Sequence, residues 1–315
     1  MVVAEVADLG IRQGADSVKD GVPRHHRPES SVRIVPLKAP GRRATPGINF
    51  LGLTFDALRV SDAARLVLDQ AATNVPFVYV ATPNVDHRVR LRYEPGLRSL
   101  YESAWMTLCD SRVIELLAQL DGVKLHAAPG ADLVECLFKS HIRPDDPINV
   151  IGSSEDVIAT LRARFHLTNL RWHRAPMDLR NRPGAIAEAA AFVANNPAGL
   201  TFICVGSPQQ ELVAQAIVAR GDARGVGLCC GASLEFLSGK VARAPRWMRN
   251  IALEWLHRLA TDPFRFGRRY LIDGPAIFPI WWESRQQRIG GSDVDDGGKP
   301  ANSHTVEAMT VHPAA

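Results

Sequence analysis

The 315-residue sequence contains no Walker sequence, no H-E-x-x-H, no G-x-S-x-G and no G-x-G-x-x-G. Those absences remove support for P-loop hydrolysis, zincin chemistry, the hydrolase nucleophile elbow and a standard dinucleotide site. No apolar run approaches the roughly 18 to 20 residues that a membrane span requires. The first ten residues carry Glu5 and Asp8 where a signal peptide needs an apolar block. The expectation is a chain that neither crosses a bilayer nor is exported. Cysteine is scarce: Cys109, Cys136, Cys204, Cys229 and Cys230 form no C-x-x-C pair and sit mostly in apolar runs. That usage predicts reduced thiols in a cytoplasm rather than a disulfide framework or a zinc site. The one D-x-D, Asp293-Val294-Asp295, falls in a polar tail. A departing diphosphate would therefore be neutralised by arginines, with no metal and no cofactor expected.

What is present is the composition of a globular protein, 46% hydrophobic and 22% charged. Residues 1–46 and 283–315 lack periodicity and read as a disordered leader and tail. Between them, short apolar runs rich in β-formers (Phe77 to Ala81, Trp105 to Cys109, Ile148 to Ile151, Leu200 to Val205, Val226 to Cys230) each precede a stretch with helical spacing. Repeated strand-then-helix units predict an α/β fold over residues 47–239: a Rossmann-like, mostly parallel sheet with helices on both faces. Asn49 to Leu58 reads as a small hairpin leading to a helix capped by Ser61.

After Gly239 the rhythm changes. Residues 240–269 hold eight basic residues against two acidic ones. Pro245 suits the first turn of a helix whose apolar stripe is Met248, Ile251, Ala252, Trp255, Leu256 and Leu259, with Arg249, Glu254, His257 and Arg258 facing away. A second short helix begins at Asp262-Pro263. Residues 240–282 thus form a basic helical appendage, suited to lie on an anionic membrane surface; a helix packed on the catalytic domain with a solvated basic face is the alternative.

Ligands of open parallel sheets bind beyond the carboxyl ends of the strands, so polar residues that follow the apolar runs are the candidates. Thr82 and Asn84 flank Pro83 and offer short hydrogen-bonding groups for sugar hydroxyls or a diphosphate; an ordinary turn with an Asx cap is the alternative. Asp110 ends a strand, where partial desolvation would suit its carboxylate to act as a general base; a helix N-cap is the alternative. Gly206 lets the backbone approach a ligand in the turn Gly206-Ser207-Pro208-Gln209-Gln210-Glu211. Gly231 ends another strand, and Glu235 could accept hydrogen bonds from a base or ribose, with capping as the alternative.

Together, TPNVDH, CDS ahead of an apolar helix, PGADL, VGSPQQE and SGKVARAPRWMRNIALEWLHRLATDPFRFGRRYL resemble the WecG/TagA/CpsF family of bacterial glycosyltransferases over about residues 48 to 278. The resemblance implies an inverting, metal-independent hexosyltransferase or N-acetylhexosamine-type transferase. Such an enzyme moves a sugar from a UDP-sugar donor onto an undecaprenyl-pyrophosphate-linked sugar acceptor at the inner face of the cell membrane, in cell-surface or exopolysaccharide synthesis. By similarity Asp110 matches the catalytic base, Thr82 and Asn84 pocket-lining residues, and Gln210 the glutamine of the G-x-P-x-Q-E turn. Arg243, Arg246 and Arg249 match arginines that hold a pyrophosphate. Three positions depart from the family pattern: Ser111 and Pro129 where glycine and threonine are usual, and Glu235 where aspartate is usual.

Two other readings compete. A catalytically inactive UDP-sugar-binding scaffold is suggested by the Asp110-Ser111 substitution. A nucleic-acid-binding module is suggested by the arginine cluster, but the basic residues are confined to one amphipathic segment without a nucleic-acid fold signature, so nucleic acid is not an expected partner. A homo-oligomer is compatible with the sequence.

Overall fold

Val78–Ala81 (β3), Met106–Thr107 (β4), Ile148–Gly152 (β5), Leu170–His173 (β6), Leu200–Cys204 (β7) and Val226–Cys229 (β8) form one six-stranded sheet in the order β4-β3-β8-β7-β5-β6. Every pairing in it is parallel. The structure, a computed structural model, describes Thr45, residues 47–176 and residues 178–292. The leader, Thr45 aside, and the tail beyond residue 292 lie outside the described residues. The five apolar runs singled out in the sequence all supply strands, while β6, whose Arg171 and His173 break the apolar pattern, is an edge strand that the sequence does not announce.

Both faces of the sheet are covered, as an α/β fold requires. Tyr79, Ala81, Ile151, Ile203 and Cys229 point into one buried cluster, while Val78, Val80, Val150, Phe202 and Leu228 point into the other. The period of two along each strand thus divides one apolar run between two cores. Val85–Tyr93 (α2), Arg98–Glu102 (α3), Arg112–Leu120 (α4), Pro183–Asn195 (α7) and Gln209–Arg220 (α8) contribute to the first face. Val60–Ala71 (α1), Gly130–Ser140 (α5), Glu155–Phe165 (α6) and Ser233–Ser238 (α9) contribute to the second. The five cysteines are free thiols, four of them buried.

The expected hairpin is present as Gly47–Phe50 (β1) and Leu53–Asp56 (β2), with Phe50 paired to Leu53. Its two-residue turn holds Leu51 and Gly52 at positive φ, the geometry that matches the twist of the flanking strands. Leucine is strained there, and burial of its side chain in the first core offsets the cost. The hairpin reaches the sheet through Asp56, whose carboxylate accepts the Thr107 N–H of β4 at 2.8 Å. Ser61 does not cap α1. The cap position is Arg59, and Ser61 lies inside the first turn.

The appendage differs from its sequence reading in three respects. The first helix is two short ones, Arg246–Asn250 (α10) and Glu254–Thr261 (α11), separated by a turn with Ala252 at positive φ. Nor is one face covered and the other free. Of the apolar stripe, Ile251 and Leu256 are exposed while Met248, Ala252, Trp255 and Leu259 are half-buried, and Arg249, Glu254, His257 and Arg258 are half-buried too, Arg249 paired with Asp132 and Arg258 with Glu254. Pro263–Gly267 (α12) starts where expected, with the Asp262 carboxylate accepting the Arg265 N–H at 3.1 Å. Finally, Ile277–Ser292 (α13) runs ten residues into the segment read as a disordered tail. Ile277 and Ile280 are buried in the first core. Asp121, at the end of α4, anchors the helix by accepting the Trp281 indole N–H at 2.9 Å and bonding Arg288.

Candidate active site

Asp110 follows β4 at the rim of the sheet, where its N–H donates to the Pro83 carbonyl at 3.0 Å. Ser111 is the N-cap of α4, its Oγ accepting the Ile114 N–H at 3.2 Å. The capping role that the sequence left open for Asp110 therefore belongs to its neighbour, and the Asp110 carboxylate is spared for other work. Burial pushes that carboxyl up to about 7, with Glu254 adding to the rise, Arg258 and Arg243 opposing it, and Asp132 adding again. Glu254, Arg258 and Arg243 come from the appendage, so the appendage lies over the sheet end that carries Asp110.

Those charges form one network. Arg243 donates to Asp132 at 2.6 Å, and Arg249 donates to the same carboxylate oxygen at 2.9 Å. Arg243 also lies within 3.9 Å of Glu254, which receives Arg258 at 2.7 Å. Arg258 stacks over the Phe236 ring, 5.1 Å from its centroid. Asp132, Glu254 and Arg258 were not singled out in the sequence. Asp132 was visible as the acid of PGADL on the first turn of α5; the other two were placed on the solvent side of their helix.

The remaining candidates converge on neighbouring strand ends, several of them as braces. Thr82, buried after β3, donates its hydroxyl to the Cys229 carbonyl at 3.0 Å. Gly130 packs against it so closely that a Cβ there would lie 3.0 Å from the Thr82 Oγ1. Asn84 is the N-cap of α2, its Oδ1 accepting the Asp86 and His87 N–H groups, so the Asx-cap alternative describes it. Gln210 ties two turns together: its Oε1 accepts the Gly231 N–H at 2.8 Å while its Nε2 donates to Glu211 at 2.9 Å. Glu211 is fully buried, and burial raises its pKa. Gly206 has φ of +73° with open space where a side chain would stand. Glu235 accepts the Ser153 hydroxyl at 3.0 Å, joining the ends of β5 and β8.

Arg246 is exposed on α10 and lines a cavity of about 310 Å³ with Arg243, Arg249, Lys139 and Arg164. Such an arrangement offers a proton acceptor of near-neutral pKa beside a bank of fixed cations. That pairing suits attack by a hydroxyl on a centre whose leaving group carries negative charge.

Residues 48–290 match the model of the glycosyl transferase WecG/TagA/CpsF family. The chain belongs to that family and is a glycosyltransferase. The matched span takes in the whole parallel sheet, the three appendage helices and most of α13, so the helices that cover Asp110 belong to the shared unit of these transferases.

Proposed function

We propose that this glycosyltransferase moves a sugar, with inversion, from a UDP-sugar onto a sugar carried by undecaprenyl pyrophosphate, in the synthesis of a cell-surface polysaccharide. Asp110 is the base. The observation that carries the reading is the carboxyl raised to about 7 at the rim of the sheet beneath the arginines of the appendage. A carboxylate with that affinity takes the proton of an acceptor hydroxyl as the new glycosidic bond forms on the face opposite the departing diphosphate. The sugar–phosphate bond breaks, and its electron pair leaves on the UDP oxygen. Cations of the appendage stabilise that charge, and no metal is required.

Thr82, Gly206, Gln210, Gly231 and Glu235 shape the pocket from the strand ends. Gln210 and Thr82 act on the ligand through the turns they hold, since their side chains are engaged with backbone or neighbouring groups.

A lipid-borne acceptor fits the outer surface of the appendage. Nine of the twelve exposed large apolar side chains among the described residues lie between Val241 and Trp282, including Trp247, Ile251, Phe264 and Ile272. Arg246, Arg265 and Arg268 are exposed among them. Apolar side chains entering the acyl boundary with arginines at the headgroups would seat the protein on the inner membrane face, worth about 1 kcal/mol for each basic residue near the surface. No helix among the described residues is long and apolar enough to cross a membrane.

Purified protein supplied with UDP-sugars and a short polyprenyl-pyrophosphate sugar should release UDP. Asp110→Asn should lose most of that rate while keeping its circular dichroism. An Asp110→Asn protein of full activity removes the base, and saturable UDP binding without turnover across donors and acceptors replaces the enzyme with a scaffold.

A further inference from the structure

Arg90 of α2 has no part in the reaction proposed above, yet its guanidinium joins separate elements of the fold. Its Nη2 donates to the Asp86 carboxylate at 2.7 Å, one turn earlier on the same helix, and its Nη1 donates to the Ser207 hydroxyl at 3.1 Å in the turn after β7. Ser207 also meets the Tyr101 hydroxyl of α3 at 3.4 Å. The Arg90 side chain is only 21% exposed, and a cation so far withdrawn from water needs partners of this kind. Arg269, after α12, approaches the same Asp86 carboxylate to 3.6 Å.

Beyond Ser207 lies Glu211, on the first turn of α8. Its carboxyl is fully buried; burial raises its pKa, while the Gln210 amide, the Ser207 hydroxyl, the Glu211 N–H and the Arg90 charge oppose the rise. Tyr79 of β3, Tyr101 of α3 and Cys229 of β8 also face it and bring no positive charge. Each is itself raised chiefly by burial, with Glu211 adding to the rise. His87, buried on the same helix as Arg90, brings none either: burial first, then Arg90 and Arg269, hold its imidazole well below the ordinary range. Arg90 is therefore the cation that favours an ionised Glu211.

The charge on Glu211 decides how Gln210 is turned. An ionised carboxylate only accepts, so Gln210 presents its Nε2 to Glu211 at 2.9 Å, and its Oε1 is left to receive the Gly231 N–H at 2.8 Å. A protonated Glu211 donates as well as accepts, and so tolerates the flipped amide, which sets an NH2 group against the Gly231 N–H. The bonds seen here each run in one direction: Arg90 to Ser207, Gln210 to Glu211, and Gly231 to Gln210.

We infer that Arg90 is a positioning residue for the sugar donor: through Ser207 and Glu211 it fixes the Gln210 amide, and with it the Gly206 and Gly231 turns. Those turns end β7 and β8, which are neighbours in the sheet, so one side chain sets two walls that a single ligand touches. A tie of directed polar bonds holds a turn to one geometry more strictly than apolar contact does. That role rests on the reading of these turns as part of the donor pocket, but not on the identity of the base.

Calorimetric titration of full-length protein with UDP, the part common to every UDP-sugar, tests the assignment. Arg90→Met should weaken binding about tenfold, the scale of one charge-assisted hydrogen bond. Arg90→Lys, which keeps the charge, should recover part of the affinity. A neutral amide at 211 needs no cation, so adding Arg90→Met to Glu211→Gln should cost less than about threefold. The deficit of Arg90→Met, taken against wild type at the same pH, should grow as pH falls, because Glu211 without its cation takes a proton more readily.

Hydrogen exchange gives a second measure that needs no nucleotide. The Gly231 N–H should exchange faster in Arg90→Met than in wild type, and no faster in the double variant than in Glu211→Gln alone. UDP affinity unchanged in Arg90→Met, or an equal loss with and without Glu211→Gln, overturns the role. If Arg90→Met does not fold, Ser207→Ala breaks the same chain at one hydroxyl; it should show a smaller loss of UDP affinity, and no loss there overturns the role equally. Wild-type protein that does not bind UDP fails the donor reading, and the Gly231 exchange rates then decide the tie by themselves. Asp110→Asn should bind UDP as the wild type does, so failure of the base and failure of this tie are separate results.

Discussion

Behind burial itself, the strongest influence raising the Asp110 carboxyl is Glu254, a side chain of the appendage acting on a side chain of the sheet. Arg258, hydrogen-bonded to Glu254 at 2.7 Å, opposes it. Two parts of the fold distant in sequence therefore set the proton affinity of one acid together, and movement of the appendage changes that affinity.

The pH profile follows. The base must be ionised, so kcat/KM should rise with pH and level off above about 7. Glu254→Gln removes a negative neighbour and frees Arg258 to act on Asp110, so the limb should move to lower pH. Arg258→Gln should move it higher. A limb that stays in place in both variants would separate Asp110 from the measured ionisation.

The same acid carries a stability signature. Its folded pKa of about 7 lies above the ordinary carboxylate value of 3.8. Between those values the folded state keeps a proton that the unfolded state has lost, so stability falls as pH rises through the window. Asp110→Asn should accordingly be more stable than the wild type at pH 8, by up to about 4 kcal/mol, and equal to it near pH 4. Thermal unfolding at the two pH values measures the difference.

Ser111→Ala should cost about 1 kcal/mol by removing the cap on α4. Ser111→Gly, which restores the residue usual in the family resemblance, should cost only a few tenths. Both should keep activity within a few-fold, because the Ser111 hydroxyl is spent on the Ile114 N–H. A large gain on Ser111→Gly would instead mark the serine as an inactivating substitution.

Asp121 is buried beneath Trp281, Arg285 and Arg288. Asp121→Ala should destabilise by roughly 1.5–3 kcal/mol, the scale of hydrogen bonds to a charged group. It should also release α13, seen as faster proteolysis after residue 277 and a red-shifted tryptophan emission.

Gly130→Ala should cost about 1–3 kcal/mol, since the new Cβ presses on Thr82 and the Thr82 hydroxyl is held by Cys229. Thr82→Ala in the same chain should relieve part of that cost. Simple additivity in the double-mutant cycle would show that the two sites do not touch.

Much of the fold was legible because its determinants are local. Phe77 to Ala81 and Leu200 to Val205 are β-rich, apolar but for Thr201, and bounded by polar turns, and such runs have few alternatives to a strand buried on both faces. β6 was not legible, since an edge strand with Arg171 and His173 needs only one apolar face and lacks a continuous run. Among the candidate residues, the sequence placed Asp110 and Gly206 at strand ends but could not tell Asp110 from Ser111 as the cap. Both residue types suit that position, and only the direction of the hydroxyl decides between them.

The sequence by itself determined the alternation of strands and helices, the Asp110 position at a strand end and the concentration of positive charge after Gly239. Tertiary structure decided how the appendage is covered. Helical periodicity marks two faces without saying how far each is buried, and a polar face is drawn in as far as the apolar one when a partner such as Asp132 satisfies its arginine. Order in α13 came from the same source: Ile277, Ile280 and the Asp121 bonds hold a segment whose own composition gives it little reason to fold.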